Sequence, residues 1–185
     1  MIMMKELSLH VLDIVENSIN AGATLVEINI DEDTKKDVMI IEIIDNGRGM
    51  DETTLQKVKD PFFTTRTTRK VGLGLPLFEQ AAKSCGGELE IYSKVGEGTR
   101  IKASFVRSHI DRPPLGNMSD TMVLLVAANP GKDFIYRHRI DGGEFVLDTR
   151  EIKKTLQDVP ISNPMVLDWI KAFVEENLKQ ISGGV

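Results

Sequence analysis

Asp45 ends the apolar run Val38 to Ile44 and is followed by Asn46-Gly47-Arg48-Gly49, so it is a carboxylate placed where a strand should give way to a turn. An ionised carboxylate only accepts hydrogen bonds and therefore suits a group that donates them, such as the exocyclic amine of adenine. Gly47 and Gly49 would let backbone approach a flat base without side-chain collision. Upstream, Asp13, Glu16, Asn17 and Asn20 place oxygen-bearing side chains along one apolar-periodic segment. Asn17 offers a neutral oxygen to Mg²⁺, an ion that takes few protein ligands and fills its octahedron with water and phosphate oxygens. Asp13 lies one helical turn before Asn17 and faces the same way. Glu16 is turned by about 100° from its neighbour. A carboxylate at either position could accept a proton. Downstream, Thr64, Thr65, Arg66, Arg69 and Lys70 offer hydroxyls and cations to phosphate oxygens. Gly72-Leu73-Gly74-Leu75 then leads into a helix whose unpaired amides favour anions.

These groups need a scaffold. Val11, Leu12, Val15 and Ile19 recur at helical spacing within Leu7 to Asn20, which predicts a helix with one buried face and one polar stripe. Thr24 to Asp31 and Val38 to Ile44 read as strands, the second apolar enough for the interior of a sheet. Met50 to Val71 is polar and reads as a long loop with a short helix at Glu52 to Lys59, a length that points to function. Gly74 to Ser84 reads as a second helix with Pro76 in its first turn. Glu88 to Lys94 and Thr99 to Val106 form a hairpin. Arg107 to Asp120, with Pro113, Pro114 and Gly116, is the best boundary. Beyond it, Thr121 to Ala128, Asp133 to Ile140 and Glu144 to Asp148 read as strands, and Thr149 to Asp158 and Asn163 to Ile181 as helices. The expected organisation is residues 1–107 as one α/β domain, 108–120 as linker and 121–185 as a small α/β appendage.

Five segments in order carry a resemblance: Glu16-Asn17-Ser18-Ile19-Asn20-Ala21-Gly22-Ala23, Asp45 to Gly49, Pro61-Phe62-Phe63-Thr64-Thr65, Gly72 to Leu75, and Gly96-Glu97-Gly98-Thr99. They match the N box, first glycine box, F box, second glycine box and terminal Gly-Thr of the GHKL superfamily, over roughly residues 5 to 107. The resemblance implies the Bergerat fold, a two-layer α/β sandwich with helices on one face of a mixed sheet, and an ATP site with Mg²⁺. It makes Asn17 the metal ligand and Asp13 the counterpart of a water-activating glutamate, here one methylene shorter. Thr99 becomes a hydroxyl near adenine, and residues 62–75 resemble the ATP lid of a sensor kinase. Glu16 to Ala23 resembles a mismatch-repair ATPase, whereas the later segments are more similar to sensor kinases.

A net charge of -5 argues against a protein whose main work is sequence-independent nucleic-acid binding. One cysteine, Cys85, has no internal partner for a disulfide, and the start lacks a signal-peptide pattern, so a cytoplasmic location is expected. The apolar stretch Met122 to Ala128 is too short to span a bilayer. His10, His109 and His138 read as surface or polar-stripe residues without metal-ligand spacing, and Cys85 as a small buried apolar residue. Few residues precede the N box, so no phosphoacceptor hairpin is expected. The favoured function is an ATP-controlled switch with slow or partner-dependent hydrolysis that acts on a separate protein partner. A protein kinase acting on a separate partner and a non-catalytic nucleotide-sensing scaffold are the alternatives.

Overall fold

The computed structural model describes residues 5–59 and 74–183. Of the residues singled out above, Pro61 to Arg66, Arg69, Lys70, Gly72 and Leu73 lie outside them. Helix α1 (Leu7–Asn20) buries Leu7, Val11, Ile14 and Val15 on the stripe the periodicity marks. Strands β1 (Leu25–Asp33) and β2 (Val38–Asp45) pair antiparallel with Ile28 opposite Ile43 and Ile30 opposite Ile41. Although β2 is apolar almost throughout, only Met39, Ile41, Ile43 and Asp45 are buried, because alternate residues face opposite sides of a sheet. After α2 (Glu52–Lys59) and α3 (Gly74–Ser84), the hairpin β3 (Leu89–Lys94) and β4 (Gly98–Val106) returns to place β4 beside β2.

The stretch Thr121 to Ala128, expected as a strand, is instead part of helix α4 (Met118–Ala128). A short apolar run has no period of its own, and here it is enclosed on several sides, with Met118, Met122, Leu125 and Val126 buried. A usable signal lay just upstream. Asn117 caps the helix by accepting from the Asp120 amide at 3.0 Å, the arrangement an Asn followed three residues later by an acid should suggest. Strand β5 (Asp133–Ile140) then pairs parallel with β1, Val26 opposite Phe134 and Ile28 opposite Tyr136, and β6 (Gly143–Asp148) closes the edge. The result is one mixed sheet in the order β3-β4-β2-β1-β5-β6, so the segment after the boundary extends the first sheet. Helices α5 (Thr149–Leu156) and α6 (Pro164–Ile181) complete the chain, each started by a side-chain cap, from Asp148 and Asn163. Helices α1, α3 and α6 cover one face, with α4 packed between α1 and α6. The opposite face carries a polar ladder in which Arg100 meets Glu42, Glu42 meets Asn29, Asn29 meets Arg137 and Arg137 meets Glu144. No described helix is long and apolar enough to cross a membrane.

The segment expected as linker is bonded to its neighbours at several points. Glu6 gives α1 no side-chain cap, and the helix's first amides donate instead to linker carbonyls, Leu7 to Pro114 at 3.0 Å and Ser8 to Leu115 at 2.8 Å. Ser108 donates to Asp37, and the last linker residues already belong to α4.

The expectation of surface histidines needs correction. His138 is 1% exposed, because its register opposite Ile30 turns it into the helix-covered face. There its Nδ1 pairs with the Tyr136 hydroxyl at 2.8 Å and its Nε2 with Glu32 at 3.0 Å, and Glu32 also accepts from Arg107. Burial acts to raise the Glu32 pKa, but the hydrogen bonds from His138 and Arg107 outweigh it and hold the carboxyl below its ordinary value. His10 is likewise buried, at 2% exposure. Cys85 is fully buried.

Candidate functional site

Asp45 is the point where three separate pieces of chain meet. It is 7% exposed. Its Oδ2 accepts from Ser18 Oγ at 2.6 Å, while its Oδ1 accepts from the amides of Gly47 at 2.8 Å and Thr99 at 3.3 Å. Helix α1, the turn after β2 and the start of β4 are thus each bonded to one carboxylate. Such bonds are what make a buried charge tolerable, and they aim the remaining lone pairs. Asn46 has a structural task. Its Oδ1 accepts from the amides of Thr24 and Leu25, and its Nδ2 donates to Thr24 Oγ1, which pins the turn to the start of β1.

The turn's glycines are explained by close approach. A Cβ on Gly47 would sit 3.0 Å from Asp45 Oδ1 and 3.1 Å from the Ala21 carbonyl. Gly49 has φ +66°, and a Cβ there would overlap the Lys94 carbonyl, so this glycine seats the β3–β4 hairpin against the turn. Thr99 shares a 2.8 Å hydrogen bond with Ser93, directly opposite it in the register. Ser93 also accepts from the Met50 amide and donates to the Gly98 carbonyl. Asp45, Leu55, Ile91, Ser93 and Thr99 help line a cleft of about 540 Å³.

Ser18 and Ser93 escaped the sequence reading. Ser18 sits inside the N-box segment beside Asn17, but no local pattern says that its hydroxyl reaches a carboxylate 27 residues away. Ser93 could have been found from the hairpin register, which places it across from Thr99.

On α1, Asp13 and Asn17 are half-buried while Glu16 and Asn20 are exposed. None of the four side chains makes a hydrogen bond with the described residues. Asp13 lies against the start of α3, where a Cβ on Gly74 would be 2.5 Å from Asp13 Oδ2. Leu75 follows, buried at 8% exposure. One turn further back along α1, the His10 ring stacks on Phe78 of α3 with centroids 5.2 Å apart. Among the described residues its Nδ1 has no hydrogen-bond partner. Leaving a buried polar atom unpaired costs about 1–3 kcal/mol. Burial lowers the His10 pKa, an effect that the negative charge of Asp13 opposes but does not cancel. A sealed imidazole is not placed to receive a phosphoryl group. Among the described residues no group of three or more His, Cys, Asp or Glu side chains could hold a metal ion.

Known proteins similar in sequence include a sensor protein of Shewanella frigidimarina, 37% identical over 102 residues, which are 54% of this chain and 16% of that protein. Sensor protein kinase FleS of Pseudomonas aeruginosa is 38% identical over 89 residues, 48% of this chain and 22% of its own. The chain therefore matches only about a fifth of the length of these relatives. In three dimensions it is similar to the N-terminal domain of a DNA repair protein, with TM-score 0.52 and 16% identity over 79% of this chain and 53% of that one. That likeness concerns the fold alone, and it reaches beyond the segment the sequence relatives share. Residues 5–109 match the family described as histidine kinase-, DNA gyrase B- and HSP90-like ATPases, and the chain belongs to that family.

Proposed function

We propose that this protein binds Mg-ATP in the cleft beside Asp45 and uses it as a switch in the cytoplasm, hydrolysing it slowly or only when a protein partner is bound. The observation that carries the reading is Asp45, a nearly buried carboxylate held by Ser18, Gly47 and Thr99 beside a cleft of about 540 Å³. Pockets of about 300–1,000 Å³ suit small molecules. In this reading Asp45 accepts from the adenine amine, with Gly47, Gly49 and Thr99 around the base. Asn17, whose amide makes no hydrogen bond with the described residues, would hold Mg²⁺. The ion, when bound, would neutralise phosphate charge. Asp13, lying against the start of α3, is the base for water, and Asn20 completes the polar stripe. Gly74 and Leu75 open the helix whose amides favour phosphate, and Thr65, Lys70, Gly72 and Leu73 belong to the same proposal as lid contacts.

Two variants test the division of labour. Asn17→Ala should weaken Mg-ATP binding well beyond any effect on metal-free ATP, measured by calorimetry with and without Mg²⁺; equal losses would assign Asn17 to the nucleotide or the helix. Asp13→Asn should abolish residual hydrolysis of γ-labelled ATP and leave nucleotide affinity largely intact. Normal turnover in that variant would move the base elsewhere, with the exposed Glu16 next in line.

A second reading is favoured by the likeness to sensor protein kinase FleS. In it the γ-phosphoryl passes to a side chain of a separate protein. Transfer of label from ATP to a co-purifying protein, in place of release as free phosphate, would select it.

A further inference from the structure

Ser93 is bonded on three sides, and its single proton fixes the sense of each bond. The Met50 amide donates to its Oγ at 2.8 Å, a role that no amide N–H can reverse. Its own proton goes to the Gly98 carbonyl at 3.1 Å, which only accepts. The third partner is the Thr99 hydroxyl at 2.8 Å, where by distance alone either oxygen could donate. Because a hydroxyl carries one proton, all three bonds form together only when Thr99 donates and Ser93 accepts. Thr99 then turns lone pairs alone toward the cleft that it and Ser93 help line. Asp45, directly opposite Thr99 in the β2–β4 register, is an acceptor as well. Its Oδ1 has taken two amide protons and its Oδ2 one proton from Ser18, which leaves one of its roughly four acceptor positions open, on Oδ2. Asp45 and Thr99 therefore both call for a donor.

We propose that Ser93 sets the base specificity of the cleft: by taking the Thr99 proton it makes Thr99 a second acceptor beside Asp45, so that the cleft admits a purine bearing an exocyclic amine and rejects one bearing oxygen in its place. This rests on the adenine reading of the cleft and adds to it the residue that fixes hydrogen-bond polarity. An exocyclic amine has two hydrogens, one for each acceptor, whereas an oxygen at the same place would set lone pair against lone pair. A free threonine hydroxyl would not discriminate, because it rotates to donate or accept as the ligand requires. Ser93 touches no base in this arrangement and acts through Thr99. Its lone pairs are filled by Met50 and Thr99 and its proton is committed to Gly98, so the hydroxyl is held without freedom to turn.

The test is calorimetric titration of the full-length protein with Mg-ATP and with an ATP analogue whose exocyclic amine is replaced by a methoxy group. That group offers an ether oxygen and leaves the neighbouring ring nitrogen unprotonated, as it is in adenine. Wild type should favour ATP. In Ser93→Ala the freed Thr99 proton can turn to the ether oxygen, so the preference should shrink about 2- to 10-fold, the effect of one neutral hydrogen bond. Ser93→Thr keeps the hydroxyl and should keep the wild-type preference. Thr99→Val should weaken ATP binding by a similar factor without weakening the analogue, and it decides the matter alone if Ser93→Ala fails to fold. Equal losses for both nucleotides in Ser93→Ala would reduce Ser93 to a brace for the hairpin. A Thr99→Val variant that loses more affinity for the analogue than for ATP would make Thr99 a donor. Either result overturns the proposal and leaves Asp45 as the adenine contact, whereas a wild type with no affinity for ATP would remove both.

Discussion

Asp45→Asn should lower ATP affinity about 10- to 100-fold with little loss of stability, since a hydrogen bond to a charged group contributes about 1.5–3 kcal/mol. The structure explains why asparagine is the informative replacement. Its Oδ1 can still accept from the Gly47 and Thr99 amides, and Ser18, whose hydroxyl both donates and accepts, can turn to receive from Nδ2. The interior stays satisfied, but the group offered to adenine becomes a donor facing a donor. Asp45→Ala is a poorer probe. It strips the acceptor from three groups at once and should reduce stability as well as binding, each unpaired buried group costing about 1–3 kcal/mol. Calorimetric titration alongside thermal melts separates the two effects, and an asparagine variant with wild-type ATP affinity would remove Asp45 from base recognition.

Gly98→Ala, like a side chain at Gly49, should be among the most damaging small substitutions in the described site. Gly98 has φ +97°, and a Cβ there would overlap the main-chain carbonyl of Asp45 and come within 3.0 Å of the Asn46 Cα, so neither neighbour can yield by turning a side chain. The dihedral alone costs about 1–3 kcal/mol, and the clash adds to it. Relief requires moving the start of β4 away from β2, which carries Thr99 off Asp45 and opens the site. Gly96→Ala is the matched control. Gly96 shares the same turn and a positive φ of +80°, yet nothing lies within 4 Å of its Cβ position, so only the dihedral penalty applies. Melting temperatures and ATP affinities of the pair should diverge, with Gly98→Ala losing both. Similar behaviour in the two would show that the β2–β4 contact is softer than the geometry requires.

Local sequence by itself determined most of the elements that carry the site. The apolar spacing of Val11, Val15 and Ile19 was enough for α1, the alternation through Val26, Ile28 and Ile30 for β1, and the Gly96-Glu97-Gly98 turn for the β3–β4 hairpin, because periodicity and turn chemistry act within a few residues. The placement of Asp45 at a strand end followed from the same patterns. What only the tertiary structure decided depends on contacts between distant segments. The run Met122 to Ala128 became a helix because α1 and α6 enclose it, a circumstance its own composition does not encode. Parallel pairing of β5 with β1 made the C-terminal segment part of the first sheet, and that register drew His138 inside to meet Glu32. Ser18 reached Asp45, and Asp13 and His10 met Gly74 and Phe78, only when α1 was laid against the sheet and α3. A side chain's type is a property of the chain, whereas its burial and its partner belong to the packed fold.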